Sequence, residues 1–103
     1  MEKKTPRVGV FIDGENVPYT YANLLHSVAA DFGEVTLAQV YAGFDVIEQW
    51  QHQERFKRVL TPSGKNATDI VICVDMIERA CSGEFDVIVI GSSDKDFTHA
   101  VDT

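Results

Sequence analysis

The chain has 103 residues, 45 % of them hydrophobic and 24 % charged, which are ordinary proportions for one globular domain and exclude disordered, collagen-like and coiled-coil classes. Acidic residues outnumber basic ones 16 to 9, a net charge of −7, which counts against a broad basic face for duplex DNA. No apolar run approaches the roughly 20 residues that span a bilayer, and the start, MEKKTP, lacks a signal peptide's apolar stretch and cleavage site, so a cytoplasmic protein is expected.

Strand and helix patterns alternate along the chain. Val8 to Ile12 (VGVFI) reads as a buried strand. Pro18 stands where a helix can begin, and Tyr21, Leu24, Leu25, Val28, Ala29 and Phe32 follow with helical spacing up to Gly33. Val35 to Ala42 (VTLAQVYA) is a second strand, Asp45 a candidate cap for a short helix bearing Ile47 and Trp50, and Arg58 to Thr61 a weaker third strand. A long helix is predicted over 66–80, with Ile70, Cys73, Val74, Ile77 and Cys81 as its inner stripe. The two cysteines, eight residues apart, would be about 12 Å apart along that helix, too far for a disulfide, and read as buried small hydrophobes. Asp86 to Gly91 (DVIVIG) is a clear fourth strand, and Phe97, Ala100 and Val101 begin another helical stripe.

This alternation predicts a parallel α/β sheet with right-handed crossovers. No strand pattern follows the last stripe. The expectation is therefore one domain over 1–103 lacking a fifth strand, either truncated at its C-terminus or with its open sheet edge completed by a second copy of the chain.

Open parallel sheets bind ligands beyond the carboxyl ends of their strands, and acids stand at those ends. The first strand runs into Asp13-Gly14-Glu15-Asn16, the fourth into Ser92-Ser93-Asp94-Lys95-Asp96, and the third is followed by Lys65-Asn66-Ala67-Thr68-Asp69. Singly, Asp69 and Asp96 fit helix-capping positions and Asp13 a turn before glycine. Jointly they bring carboxylates from three strand ends to one edge. Like charges so placed raise one another's pKa unless a cation intervenes, and oxygen-only donors suit Mg²⁺ or Mn²⁺.

Three blocks, FIDGENV (11–17), GKNATDIVICVDMIERA (64–80) and VIVIGSSDKDF (87–97), resemble the NYN domain family of PIN-like nucleases in order and spacing. The resemblance implies a three-layer α/β/α fold with strand order 3-2-1-4-5, of which this chain would hold 3-2-1-4. It implies metal-dependent cleavage of RNA, with Mg²⁺ or Mn²⁺ held by Asp13, Asp69, Asp94 and Asp96. Asn16 matches the family's polar residue beyond the first acid, which orients that loop or the substrate. Ser93 stands where the family often has glycine. Asp75 has a counterpart within the helix, but its offset of six from Asp69 turns it about 240° around the axis, so a supporting or packing role is expected. Lys65 and Lys95 flank the acids and are candidates to hold phosphates, with Asn16 and Ser93 as further substrate contacts. Two alternatives stand beside the nuclease. One is a HAD-type phosphatase using Asp13 as nucleophile, although Glu15 replaces that superfamily's second aspartate. The other is a non-catalytic RNA-binding or regulatory module.

Overall fold

The structure, a computed structural model, describes residues 5–62, 67–92 and 100–102. Five strands form one sheet: β1 (Arg7–Asp13), β2 (Glu34–Ala42), β3 (Lys57–Leu60), β4 (Val87–Gly91) and β5 (Ala100–Asp102), in the order β3-β2-β1-β4-β5. The first four are parallel, as expected. β5 corrects the sequence reading: residues 100–102 run antiparallel along Val87–Val89, where a helical stripe and no fifth strand were expected. Three residues after β4 carry too little pattern to separate period 2 from period 3.6. They occupy the edge of β4 through which a second copy was expected to pair.

Side chains alternate across the sheet, so each central strand feeds two cores. Val8, Val10 and Ile12 of β1 join Val40 and Ala42 of β2 and Val87 and Val89 of β4 on one face. Helix α1 (Ala22–Ala30), entered through a 3-10 turn at Tyr19–Tyr21, covers that face, with the short α2 (Phe44–Ile47) and the turn at Glu48–Trp50 beside it. Trp50 packs edge-on against Phe56 there, with ring centroids 5.5 Å apart. The opposite face holds Phe11, Tyr41, Phe85 and Ile88 under helix α3 (Ala67–Cys81). Phe85 lies over Gly9, where a Cβ would come within 2.8 Å of its ring.

α1 buries only Ala29 and, in part, Leu25 of its predicted stripe, and α3 buries a face other than the predicted one. On α1, Ala22 and Ala29 are buried with Leu25 beside them, while Tyr21, Leu24, Val28 and Phe32 are exposed. The alanines let the helix approach a sheet face already filled by valine and isoleucine. On α3 the inner side carries Thr68, Val71, Ile72, Asp75, Met76 and Ala80, and Ile70, Val74 and Ile77 face outward at 62 %, 51 % and 57 % exposure. Cys73 and Cys81 are likewise free and exposed rather than buried. α3 has apolar residues on both sides. Its inner side is selected because the sheet supplies hydrogen-bonding partners for the polar groups on it.

Those partners form a network across α3 and β2. The Tyr41 hydroxyl donates to Oδ2 of Asp75, Gln39 Nε2 donates to the same oxygen at 3.0 Å, and Arg79 Nε donates to Oδ1 at 2.8 Å. No buried side-chain nitrogen or oxygen among the described residues lacks a partner. At the opposite end, Arg7 and Asp86 join the starts of β1 and β4, the Arg7 amide donating to Asp86 Oδ2 at 2.8 Å. No helix among the described residues is long and apolar enough to cross a membrane.

Candidate active site

The carboxyl end of β1 positions the first acid. Asp13 is the last residue of the strand, in register with Tyr41 of β2, while its neighbour Ile12 pairs with Gly91 at the end of β4. It shares the face of Phe11 and so points toward the α3 side. Only 4 % of Asp13 is exposed. Its carboxylate is held by two donors: Asn16 Nδ2 to Oδ2 at 2.7 Å and the Glu15 amide to Oδ1 at 3.1 Å.

The chain can turn this tightly because Gly14 has no side chain. Its amide donates to the Tyr41 carbonyl at 2.8 Å. A Cβ there would stand 2.8 Å from Val40 Cγ2 and 3.1 Å from the Tyr41 carbonyl oxygen, closer than packing permits. The next residue, Glu15, reaches across to β2's exit: its Oε2 accepts the Gly43 amide at 2.6 Å. Gly43 is the N-cap of α2, so Glu15 satisfies the N-cap amide, the donor that the third-position side chain of a capping box would otherwise satisfy. Asp45, expected as that cap, sits in the first turn instead.

Asp69 approaches from the first turn of α3. The helix start is pinned to the end of β3 by a 2.9 Å hydrogen bond between the Thr61 and Thr68 hydroxyls, and Thr61 is held to the end of β2 by its amide on the Ala42 carbonyl at 2.9 Å. Asp13 and Asp69 line one cleft of about 470 Å³ with Glu15, Asn16, Gly43, Phe44, Asp45, Val46, Pro62 and Thr68. Burial raises the Asp13 pKa above the usual carboxylate value. The Asn16 hydrogen bond opposes that shift, and the negative charge of Asp69 adds to it. A buried acid pushed upward by a second carboxylate is in the electrostatic state that a bound cation relieves.

The donors at this point are all oxygen. Among the described residues no group of three His, Cys, Asp or Glu side chains is arranged to hold a metal. Two carboxylates nonetheless fit a small hard cation, because Mg²⁺ keeps much of its water and is commonly bound through one or two carboxylates plus substrate phosphate.

The other predicted site residues divide in two. Asn16 lies in the cleft and orients Asp13. Asp75 lies further along α3, bound to Tyr41, Gln39 and Arg79. Its burial favours protonation, but the hydrogen bonds from Tyr41 and Arg79 and the Arg79 charge outweigh that and hold its pKa below the usual value. Burial and the neighbouring Asp75 raise the Tyr41 hydroxyl in turn. Ser93, Asp94, Asp96, Lys65 and Lys95 lie outside the described residues. Phe44, which no sequence pattern singled out, stands in the cleft lining at 67 % exposure.

A parallel sheet ordered β3-β2-β1-β4, helices on both faces and acids gathered at its carboxyl edge define a PIN-like α/β domain. The NYN domain matches residues 7–103, and the chain belongs to that family, one of the PIN-like nucleases, which generally use divalent metals. No curated protein and no solved structure matches the chain.

Proposed function

We propose that this chain is a Mg²⁺- or Mn²⁺-dependent endoribonuclease. The observation that carries the reading is the meeting of Asp13, from the end of β1, with Asp69, from the head of α3, in one cleft at the carboxyl edge of the sheet. Family membership supports the nuclease class.

In this reading Asp13, Asp69, Asp94 and Asp96 hold the divalent ion or ions. When bound, the metal supplies positive charge against the phosphodiester and makes water acidic enough to attack near neutral pH. Asn16 holds the Asp13 carboxylate in a single orientation, so the charge faces the cleft without reorganisation during the reaction. The Glu15–Gly43 and Thr61–Thr68 contacts hold the two walls that carry Asp13 and Asp69. Lys65, Lys95 and Ser93 contact the phosphate backbone, and Asp75 ties α3 to β2 through Gln39 and Tyr41.

The test is incubation with Mn²⁺ and labelled single-stranded RNA, duplex DNA or a phosphomonoester, beside the Asp13→Asn and Asp94→Asn variants. The expected result is internal cleavage of RNA that EDTA stops and both variants lose. Release of phosphate from the monoester would point to the HAD-type phosphatase. RNA binding without turnover in any metal would point to a non-catalytic module. Equal cleavage by wild type and variants would reject the proposed site.

A further inference from the structure

Phe44 is the residue of the cleft that its acids do not explain. It opens α2, whose start is fixed by the Gly43 amide on Glu15 Oε2 at 2.6 Å and by the Ile47 amide on the Gly43 carbonyl at 2.9 Å. Ile47 in the same turn is buried, while Phe44 is 67 % exposed. Leaving a large ring in water forgoes most of the hydrophobic gain available to it. Phe11, Tyr41, Trp50, Phe56 and Phe85 are all buried. Tyr19, Tyr21 and Phe32 are also exposed, but they do not line this cleft. Phe44 is the one aromatic among the described residues that do.

The charge of the cleft gives that ring a role. Asp13, Glu15, Asp45 and Asp69 line it, and none of its described lining residues is Lys or Arg. These walls repel a phosphate backbone until cations are bound, so the described lining offers no side-chain charge to attract a strand. A nucleobase carries no charge, and every base presents a flat face that stacks on an aromatic ring. The volume of about 470 Å³ also falls within the roughly 300–1,000 Å³ of small-ligand sites.

We infer that Phe44 is a base-stacking platform that selects unpaired nucleotides at the acidic cleft. A base within a duplex is already stacked on both sides, so the ring favours single strands, loops and bulges. This inference rests on the reading of the cleft as a nucleic-acid site, and it adds the substrate form: a strand with at least one base free to leave its neighbours.

The experiment measures equilibrium binding of a fluorescein-labelled oligoadenylate, the same oligomer with abasic riboses, and a blunt RNA duplex. Ca²⁺ replaces the catalytic ion. The proteins are wild type, Phe44→Ala, Phe44→Leu and Phe44→Trp, with melting temperatures checked in parallel. Stacking predicts that Phe44→Ala weakens oligoadenylate binding by about tenfold, that Phe44→Leu weakens it nearly as much, and that Phe44→Trp restores it. Binding of the abasic strand is expected to be equal in all four. Leucine matching phenylalanine, or an equal loss on the abasic strand, overturns stacking. If wild type cuts RNA in Mn²⁺ but the Phe44 variants bind alike, stacking fails and the nuclease stands. If binding depends on Phe44 as stated but no metal supports cleavage, the platform stands and the nuclease fails. A wild-type protein that neither binds nor cuts overturns both.

Discussion

Asn16 donates a 2.7 Å hydrogen bond to Oδ2 of Asp13 from only three residues further on. This contact opposes the upward shift that burial imposes on the acid. Asn16→Ala removes the donor and leaves a buried carboxylate with one fewer partner, a change that costs about 1–3 kcal/mol. In the proposed metal role of Asp13, the variant is expected to weaken Mn²⁺ binding by about 10–100-fold, as removal of a partner that orients a ligand commonly does. A Mn²⁺ titration followed by melting temperature and by RNA cleavage measures both effects.

Gly14 is required by the close passage of its backbone over β2. Gly14→Ala places a Cβ against Val40 and the Tyr41 carbonyl. Relief of such overpacking costs about 1–3 kcal/mol, and it displaces the turn that carries Asp13. The expected outcome is a lower melting temperature together with a loss of cleavage that excess Mn²⁺ does not restore. Unchanged stability would mean that the loop relaxes without strain.

The Asp75 network makes a pH-dependent contribution to stability. Asp75 has a lowered pKa in the folded protein, so its stabilising contribution is present above the ordinary aspartate value of about 3.9. It is lost as pH falls through the lowered folded value. Asp75→Ala also strips the buried Gln39 and Tyr41 of an acceptor, costing about 1–3 kcal/mol at neutral pH. Urea unfolding of wild type and Asp75→Asn across pH 2 to 7 is expected to show a gap that is widest near pH 7 and closes in acid (the range is about that over which carboxylates titrate).

The outward face of α3 predicts a contrast between neighbouring isoleucines. Ile72 is 6 % exposed and Ile77 57 %. Ile72→Ala is expected to cost about 2–5 kcal/mol, whereas Ile77→Ala stays within about 0.5 kcal/mol, as surface substitutions do. Equal losses from chemical denaturation of the two variants would contradict the helix orientation.

Divalent metal is expected to stabilise the folded chain. At ten times its dissociation constant a ligand adds about 1.4 kcal/mol, or about 6–11 °C in melting temperature for a domain of this size. Mn²⁺ should raise the wild-type transition by that order, EDTA should reverse it, and Asp13→Asn should show no rise.

Much of this molecule is legible in its residues alone. Short β-rich runs located β1, β2 and β4; β1 is clearest, because a strand buried on both faces has no polar interruptions, as in Val8 to Ile12. The acids after β1 and β4 and at the head of α3 stood out because parallel strands leave their carboxyl ends at one edge. Three motif blocks in order carried the family. Tertiary structure decided which side of each helix is inside. Periodicity reports that α3 can bury one face, but Ile70, Val74 and Ile77 satisfy that pattern as well as Val71, Ile72 and Met76 do. The choice depends on Gln39 and Tyr41, the former 36 residues from Asp75, and no local window contains both. The same holds for Phe44, whose place in the acidic cleft follows from Glu15 reaching the Gly43 amide 28 residues away. Local pattern depends on spacing along the chain, whereas a buried polar group selects partners by hydrogen-bond geometry in space.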